Sequence, residues 1–136
     1  MVIITKEQFD EIVNHAKAEL PNEACGLLGG IIEDNKKNVK KVYFLTNIDH
    51  SNEHFSMDPK EQFAAVKDMR NNKWTLLGNW HSHPETPSRM SEEDKRLAYD
   101  TKASYLILSL AAEEPVLNAF NIDENHNSTK EELIIK

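Results

Sequence analysis

The segment Trp74-Thr75-Leu76-Leu77-Gly78-Asn79-Trp80 runs without a break into His81-Ser82-His83-Pro84, and this junction constrains the fold more tightly than any other stretch. The apolar, aromatic-rich run predicts a buried strand, while Pro84 and Pro87 force an irregular loop directly after it. Side chains alternate across a strand, so His81 and His83 leave the sheet on the same face. Two neutral imidazoles on one face can reach a single metal ion. A bare His-x-His is equally a pair of loop histidines, and the pattern gains meaning only from its continuation. Seven residues separate His83 from Ser91, and two more separate Ser91 from Asp94, giving His-x-His-x7-Ser-x2-Asp.

Ser91-Glu92-Glu93-Asp94 has two readings. Ser-x-x-Asp is a capping-box pattern at a helix start, in which the aspartate reaches back to the Ser91 backbone N–H. The same aspartate shares a helix face with Leu97, Ala98 and Thr101 and so points toward the protein body, where a carboxylate needs a cation or hydrogen-bond donors. The spacing alone leaves cap and metal ligand both open. As a ligand, Asp94 would complete a His2Asp set with a fourth position free for water, the arrangement of catalytic zinc sites.

Elsewhere, Phe9, Ile12, Val13, Ala16 and Leu20 fall at helical spacing over residues 6–20, with Thr5 and Gln8 as a capping box and Pro21 as the stop. Residues 26–32 predict a buried strand, 33–38 a polar turn and 41–46 a returning strand, together a hairpin. Asp58-Pro59-Lys60-Glu61 marks a second helix start, whose buried face is expected to carry Phe63, Val66 and Met69. A third helix begins near Ser91, and strands are expected at 105–110, 116–122 and 133–135. The 136 residues are expected to form a single α/β domain, 1–136, with a mixed sheet flanked by about three helices.

Sixteen Lys plus Arg against 23 Asp plus Glu leave a net charge of −7, with the basic residues scattered. That balance argues against a nucleic-acid partner. No stretch is long and apolar enough for a membrane span, the start is too short for a signal peptide, and Cys25 is the lone cysteine. A soluble, cytoplasmic protein is expected. Composition leaves the oligomeric state open, a homodimer included.

A water activated by a metal still needs a carboxylate to take its proton and hand it to the leaving amine. The candidate is Glu23, in Pro21-Asn22-Glu23-Ala24-Cys25-Gly26 between the first helix and first strand. Alone it would be an ordinary loop residue.

Glu23-Ala24-Cys25-Gly26-Leu27-Leu28-Gly29, Phe55-Ser56-Met57-Asp58-Pro59 and His81-Ser82-His83-Pro84 through Ser91 and Asp94 together resemble the JAMM (MPN-plus) metallopeptidases in their compact prokaryotic form. The resemblance implies a cytidine-deaminase-like α/β core and hydrolysis of peptide or isopeptide bonds. It implies one zinc ion, with a catalytic water, held by His81, His83 and Asp94. Glu23 would be the general acid/base, and Ser91 a donor to the oxyanion of the tetrahedral intermediate. Members of this size are similar to enzymes that trim β-grasp ubiquitin-like or sulfur-carrier proteins at a C-terminal Gly-Gly, so a protein substrate of that kind is expected by analogy.

Competing classes are separable. A zinc-retaining binding or scaffold module would hold metal without turnover. A zinc deaminase needs His-x-Glu and Pro-Cys-x-x-Cys, which a chain with one cysteine lacks. Cys25 as a nucleophile is disfavoured by its apolar, glycine-bordered setting, which predicts a buried, inert thiol. His50 and His54, beside Asp49 and Glu53, read as solvated loop histidines, with a second metal site or substrate contact as the alternative. Trp74 and Trp80 are expected in the core, Trp80 close enough to shape the pocket.

Overall fold

A computed structural model describes residues 1–136. The chain runs β1 (Val2–Ile4), α1 (Lys6–Glu19), β2 (Cys25–Glu33), β3 (Lys36–Leu45), α2 (Pro59–Asn71), β4 (Thr75–His83), α3 (Glu92–Leu97), β5 (Ser104–Ser109), β6 (Val116–Ile122), β7 (Ser128–Glu131) and β8 (Leu133–Ile135). All eight strands join one mixed sheet in the order β7-β6-β5-β4-β2-β3-β1-β8. The β4–β5, β1–β3 and β1–β8 pairs are parallel, the others antiparallel. The expected α/β architecture of a mixed sheet with three helices is therefore present.

Local chemistry explains most boundaries. Thr5 caps α1 with the anticipated box, its Oγ1 accepting from the Gln8 N–H and the Gln8 side chain accepting from the Thr5 N–H. The β2–β3 hairpin turns on Asp34 and Asn35, both at positive φ of 51° and 64°, a two-residue turn that matches the twist of its strands. Its strands are therefore longer than the six-residue polar turn read from sequence allowed. Asp58 caps α2 through the Lys60 N–H, and Pro59 occupies the first turn, where no N–H is needed.

Alternation across the sheet divides the core. Trp80, Leu106 and Leu108 join Ile12, Val13 and Ala16 of α1 in one cluster. The opposite face carries two: Cys25, Leu27, Tyr43, Leu45, Ala65 and Met69 near α2, and Met90, Ala98, Tyr105, Ile107 and Phe120 beside α3. Gly26 on β2 is where a side chain would break this layering. A Cβ there would strike the Tyr43 carbonyl and the Trp80 indole, which donates to that carbonyl at 3.1 Å.

Four expectations fail. Phe63 is 72% exposed, because α2 turns Ala65 and Met69 to the sheet and leaves Phe63 on its outer side. α3 ends at Leu97, so Thr101 shares no helical face with Asp94, and Leu97 itself is about half exposed. Trp74 lies just before β4, only partly buried against the α2-side cluster. Strands β1 and β7 were not anticipated. Each is short, and β1 exists by pairing with the distant β3 and β8.

Candidate metal centre

β4 delivers the two histidines. In register with β5, His81 lies beside Ile107 and His83 beside Ser109, both on the face opposite Trp80. Both are buried. The loop after them is tied down by Ser88 Oγ donating to the Ile107 carbonyl and Ser109 Oγ donating to the Thr86 carbonyl, each at 2.6 Å. His83 Nδ1 lies 2.9 Å from the Pro87 carbonyl, which can only accept, so Nδ1 carries a proton and Nε2 is the nitrogen turned toward Asp94 and His81. Phe55 stacks on the His81 ring, with centroids 4.7 Å apart.

α3 delivers the third group. Ser91 Oγ accepts from the Asp94 N–H at 3.0 Å, and Asp94 Oδ2 accepts from the Ser91 N–H at 3.0 Å, a complete capping box. The same Oδ2 lies 3.2 Å from His81 Nε2 and 3.1 Å from His83 Nε2. The choice between cap and ligand posed by the sequence is thus not exclusive: one oxygen, with two lone-pair directions, takes the cap N–H and still faces the histidines. Burial works against the Asp94 charge, yet the two imidazoles and the Ser91 N–H hold its carboxyl far below the usual carboxylate range.

His81 Nε2 and His83 Nε2 are 3.1 Å apart, so the three atoms form a nearly equilateral triangle. A tetrahedral ion with arms of about 2.0 Å has edges of about 3.3 Å between ligand atoms, close to this spacing. Two imidazole nitrogens and a carboxylate oxygen are also the donor types that zinc accepts. These residues are the one group of three or more His, Cys, Asp or Glu side chains with converging ligand atoms.

Glu23 adds a carboxyl on the approach from β2. Ser82, on the opposite face of β4 from its neighbouring histidines, accepts from the Ala24 N–H at 2.8 Å and donates its own N–H to the Ala24 carbonyl at 3.0 Å. This clamp holds the Glu23 segment against β4. Asn47 fixes it from the other side, donating to the Glu23 carbonyl at 3.0 Å while its Oδ1 accepts from the N–H groups of Asp49 and Ser56. Glu23 is only 4% exposed, and its Oε1 is buried without a hydrogen-bond partner. Burial, reinforced by the nearby Asp94 and Glu93 charges and opposed by His83, pushes its carboxyl up to about 8.

The sequence profile of the prokaryotic homologs of the JAB domain matches residues 5–123. The chain belongs to this prokaryotic JAB family. It is 27% identical over 109 residues to the CysO-cysteine peptidase of Mycobacterium tuberculosis, a match covering 80% of this chain and 73% of that protein. A protein of Desulfitobacterium hafniense, solved in solution, is 55% identical, with a TM-score of 0.92 over 100% of this chain and 93% of that one. The JAB1/MPN domain protein of Archaeoglobus fulgidus shares the fold at 23% identity and a TM-score of 0.62, over 99% of this chain and 98% of that one. This chain is thus a compact prokaryotic JAMM/MPN protein, and the family with its peptidase relative supports chemistry of the peptidase kind.

Other residues of this JAB-family chain take simpler places. Cys25 is fully buried, its thiol donating to the Leu45 carbonyl at 3.7 Å, and burial followed by the Glu61 charge pushes it up to about 12. No thiolate forms there near neutrality, so Cys25 is no nucleophile. His50 and His54 are exposed, and His54 pairs with Asp49 at 3.1 Å. Neither joins a third ligand atom. Ser82 and Asn47 escaped the sequence reading. The inward alternation at Ser82 was the available signal, whereas nothing local marks Asn47, whose burial depends on contacts across the loop. No helix is long and apolar enough to cross a membrane.

Proposed function

We infer that residues 1–136 act as one zinc-dependent peptidase domain, cleaving a peptide or isopeptide bond at the C-terminal Gly-Gly end of a ubiquitin-like or sulfur-carrier protein. The observation that carries the reading is the triangle of His81 Nε2, His83 Nε2 and Asp94 Oδ2 together with a buried carboxyl, Glu23, whose Oε1 has no partner and whose charge couples to His83 and Asp94. In this reading the three side chains hold the ion, and the peptidase relative supports a carrier protein as substrate. Zinc, when bound, supplies Lewis acidity that brings water ionisation toward neutral pH.

Glu23 then does the proton work. Its Oε1 takes a proton from the attacking water and gives it to the departing nitrogen, a task suited to a buried carboxyl whose Oε1 is engaged by no other donor. The Ser91 hydroxyl has its oxygen engaged as an acceptor from the Asp94 N–H, so its own O–H hydrogen is available to the oxyanion that develops on the scissile carbonyl. His83 is held in its tautomer by the Pro87 carbonyl, and Phe55 covers His81, which fixes ring orientation without consuming a lone pair.

The test combines zinc analysis with cleavage of Gly-Gly-tailed carrier fusions. One zinc per chain, with hydrolysis that falls at least about a hundredfold in Glu23→Gln, supports the assignment. Undiminished hydrolysis in that variant removes Glu23 from its role. Stoichiometric zinc with no turnover on any fusion or isopeptide points instead to a binding module.

A further inference from the structure

Beside the triangle lies a half-open cavity of about 260 Å³ whose wall includes His81 and Asp94. Its apolar lining is Phe55, Met57, Met90, Leu97, Ala98 and Tyr105. Met90, Ala98 and Tyr105 belong to the buried cluster beside α3, whereas Phe55 and Met57 pack against the cluster under α2. The cavity therefore occupies the gap between two core clusters. The Tyr105 hydroxyl is engaged by Asp100, donating to its carbonyl at 2.9 Å and accepting its N–H at 3.1 Å, which leaves the ring as an apolar contribution to the lining. The polar part of the lining holds Glu93 and Asp94 together with His54, His81 and neutral amide and hydroxyl side chains, and no Lys or Arg.

Size, polarity and position select the occupant. The volume lies below the roughly 300 to 1,000 Å³ typical of sites that enclose a whole small-molecule ligand, and suits one side chain. The apolar lining favours a hydrocarbon or thioether group, and two methionines adapt to its shape. Moving a charged carboxylate out of water into an apolar lining is costly, so an aspartate side chain is disfavoured. If the scissile bond follows Gly-Gly, as the proposed function holds, the residues on its acyl side have no side chains to fill a cavity. Because His81 and Asp94 form part of the wall, the cavity adjoins the reacting bond rather than a remote position.

We propose that this cavity is the specificity subsite for the residue immediately after the scissile bond, and that it takes an apolar side chain of leucine or methionine size and rejects aspartate. The inference rests on the peptidase reading above and adds to it the leaving-group preference. Leu97, about half exposed, forms the accessible part of the lining, and Ala98, buried behind it, is the position where added bulk would fill the space.

The experiment measures kcat/KM of the zinc-loaded protein on β-grasp carrier fusions that differ only in the residue after Gly-Gly: Ala, Leu, Met or Asp. A side chain that fills an apolar pocket is discriminated from a smaller one by about 10-fold to 200-fold, so Leu and Met are expected at least about 10-fold above Ala, with Asp below Ala. In Ala98→Phe and, independently, in the half-exposed Leu97→Ala, the Leu/Ala ratio is expected to collapse toward one. That ratio is internal to each variant and is unaffected by a fraction that fails to fold. Equal cleavage of all four fusions, or a ratio unchanged in both variants, overturns the subsite and leaves the peptidase reading standing. Absence of cleavage from every fusion overturns the peptidase reading, and the subsite with it.

Discussion

Replacing Glu23 with Gln keeps the shape of the side chain and removes its titration, and in protein stripped of metal the two consequences can be measured separately from catalysis. Burial raises the Glu23 carboxyl from 4.5 to about 8. Between these values the folded protein holds a proton that the unfolded chain has released, so stability falls as pH rises. The contribution is fully present below pH 4.5 and is lost as pH climbs through 8. At pH 7 the loss relative to pH 4 is about 3 kcal/mol, from about 1.4 kcal/mol per unit applied between the unfolded value and the working pH. Urea unfolding in the presence of a chelator, at pH steps from 4 to 7, should show the wild type losing about that much relative to Glu23→Gln across the range. Taking the difference cancels the titrations that both proteins share. With zinc restored, the ranking inverts for function, and the variant is expected to hydrolyse at least about a hundredfold more slowly. Parallel stability curves for the two proteins would refute the claim that Glu23 is held in a dry, donor-poor setting, and with it the reason for assigning it the proton transfer.

Ser91→Ala removes both an oxyanion donor and a helix cap. kcat is expected to fall about a hundredfold with zinc content unchanged, while the cap loss costs about 1 kcal/mol in urea unfolding. Asp94→Asn withdraws the charged oxygen from the His81 and His83 nitrogens, and atomic absorption after dialysis should find markedly less than one zinc per chain, where wild-type retention would exclude Asp94 as a ligand. Gly26→Ala forces a Cβ against the Tyr43 carbonyl and the Trp80 indole, and should lower stability by about 1 to 3 kcal/mol, read as an earlier urea midpoint.

Several elements were legible in the chain because their causes are local. The Thr5–Gln8 box, the Asp58-Pro59 start and the Ser91–Asp94 box each depend on residues within one helical turn, and all three form. Strand alternation placed His81 and His83 on a common face, and the spacing to Asp94 marked the third group. Phe63 was misplaced because periodicity gives the angular spacing of apolar residues and not which arc meets the sheet, a choice made by Ala65 and Met69. The extent of α3 was overestimated for a related reason: the chain leaves the helix at Ala98, whose side chain enters the cluster around Tyr105 and Ile107.

What the sequence determined alone was the kind and order of the chemical groups: two imidazoles on one strand face, a carboxylate in a helix cap, and a glutamate between α1 and β2. Tertiary structure alone decided that these groups meet. The Ser82 clamp on Ala24, the Asn47 brace on Glu23 and the cavity between two core clusters each join residues dozens of positions apart or from separate elements. Spacing rules act over a turn of helix or two residues of strand, whereas the burial that gives Glu23 its proton affinity arises only when β2, β4 and the loop after β3 close around it.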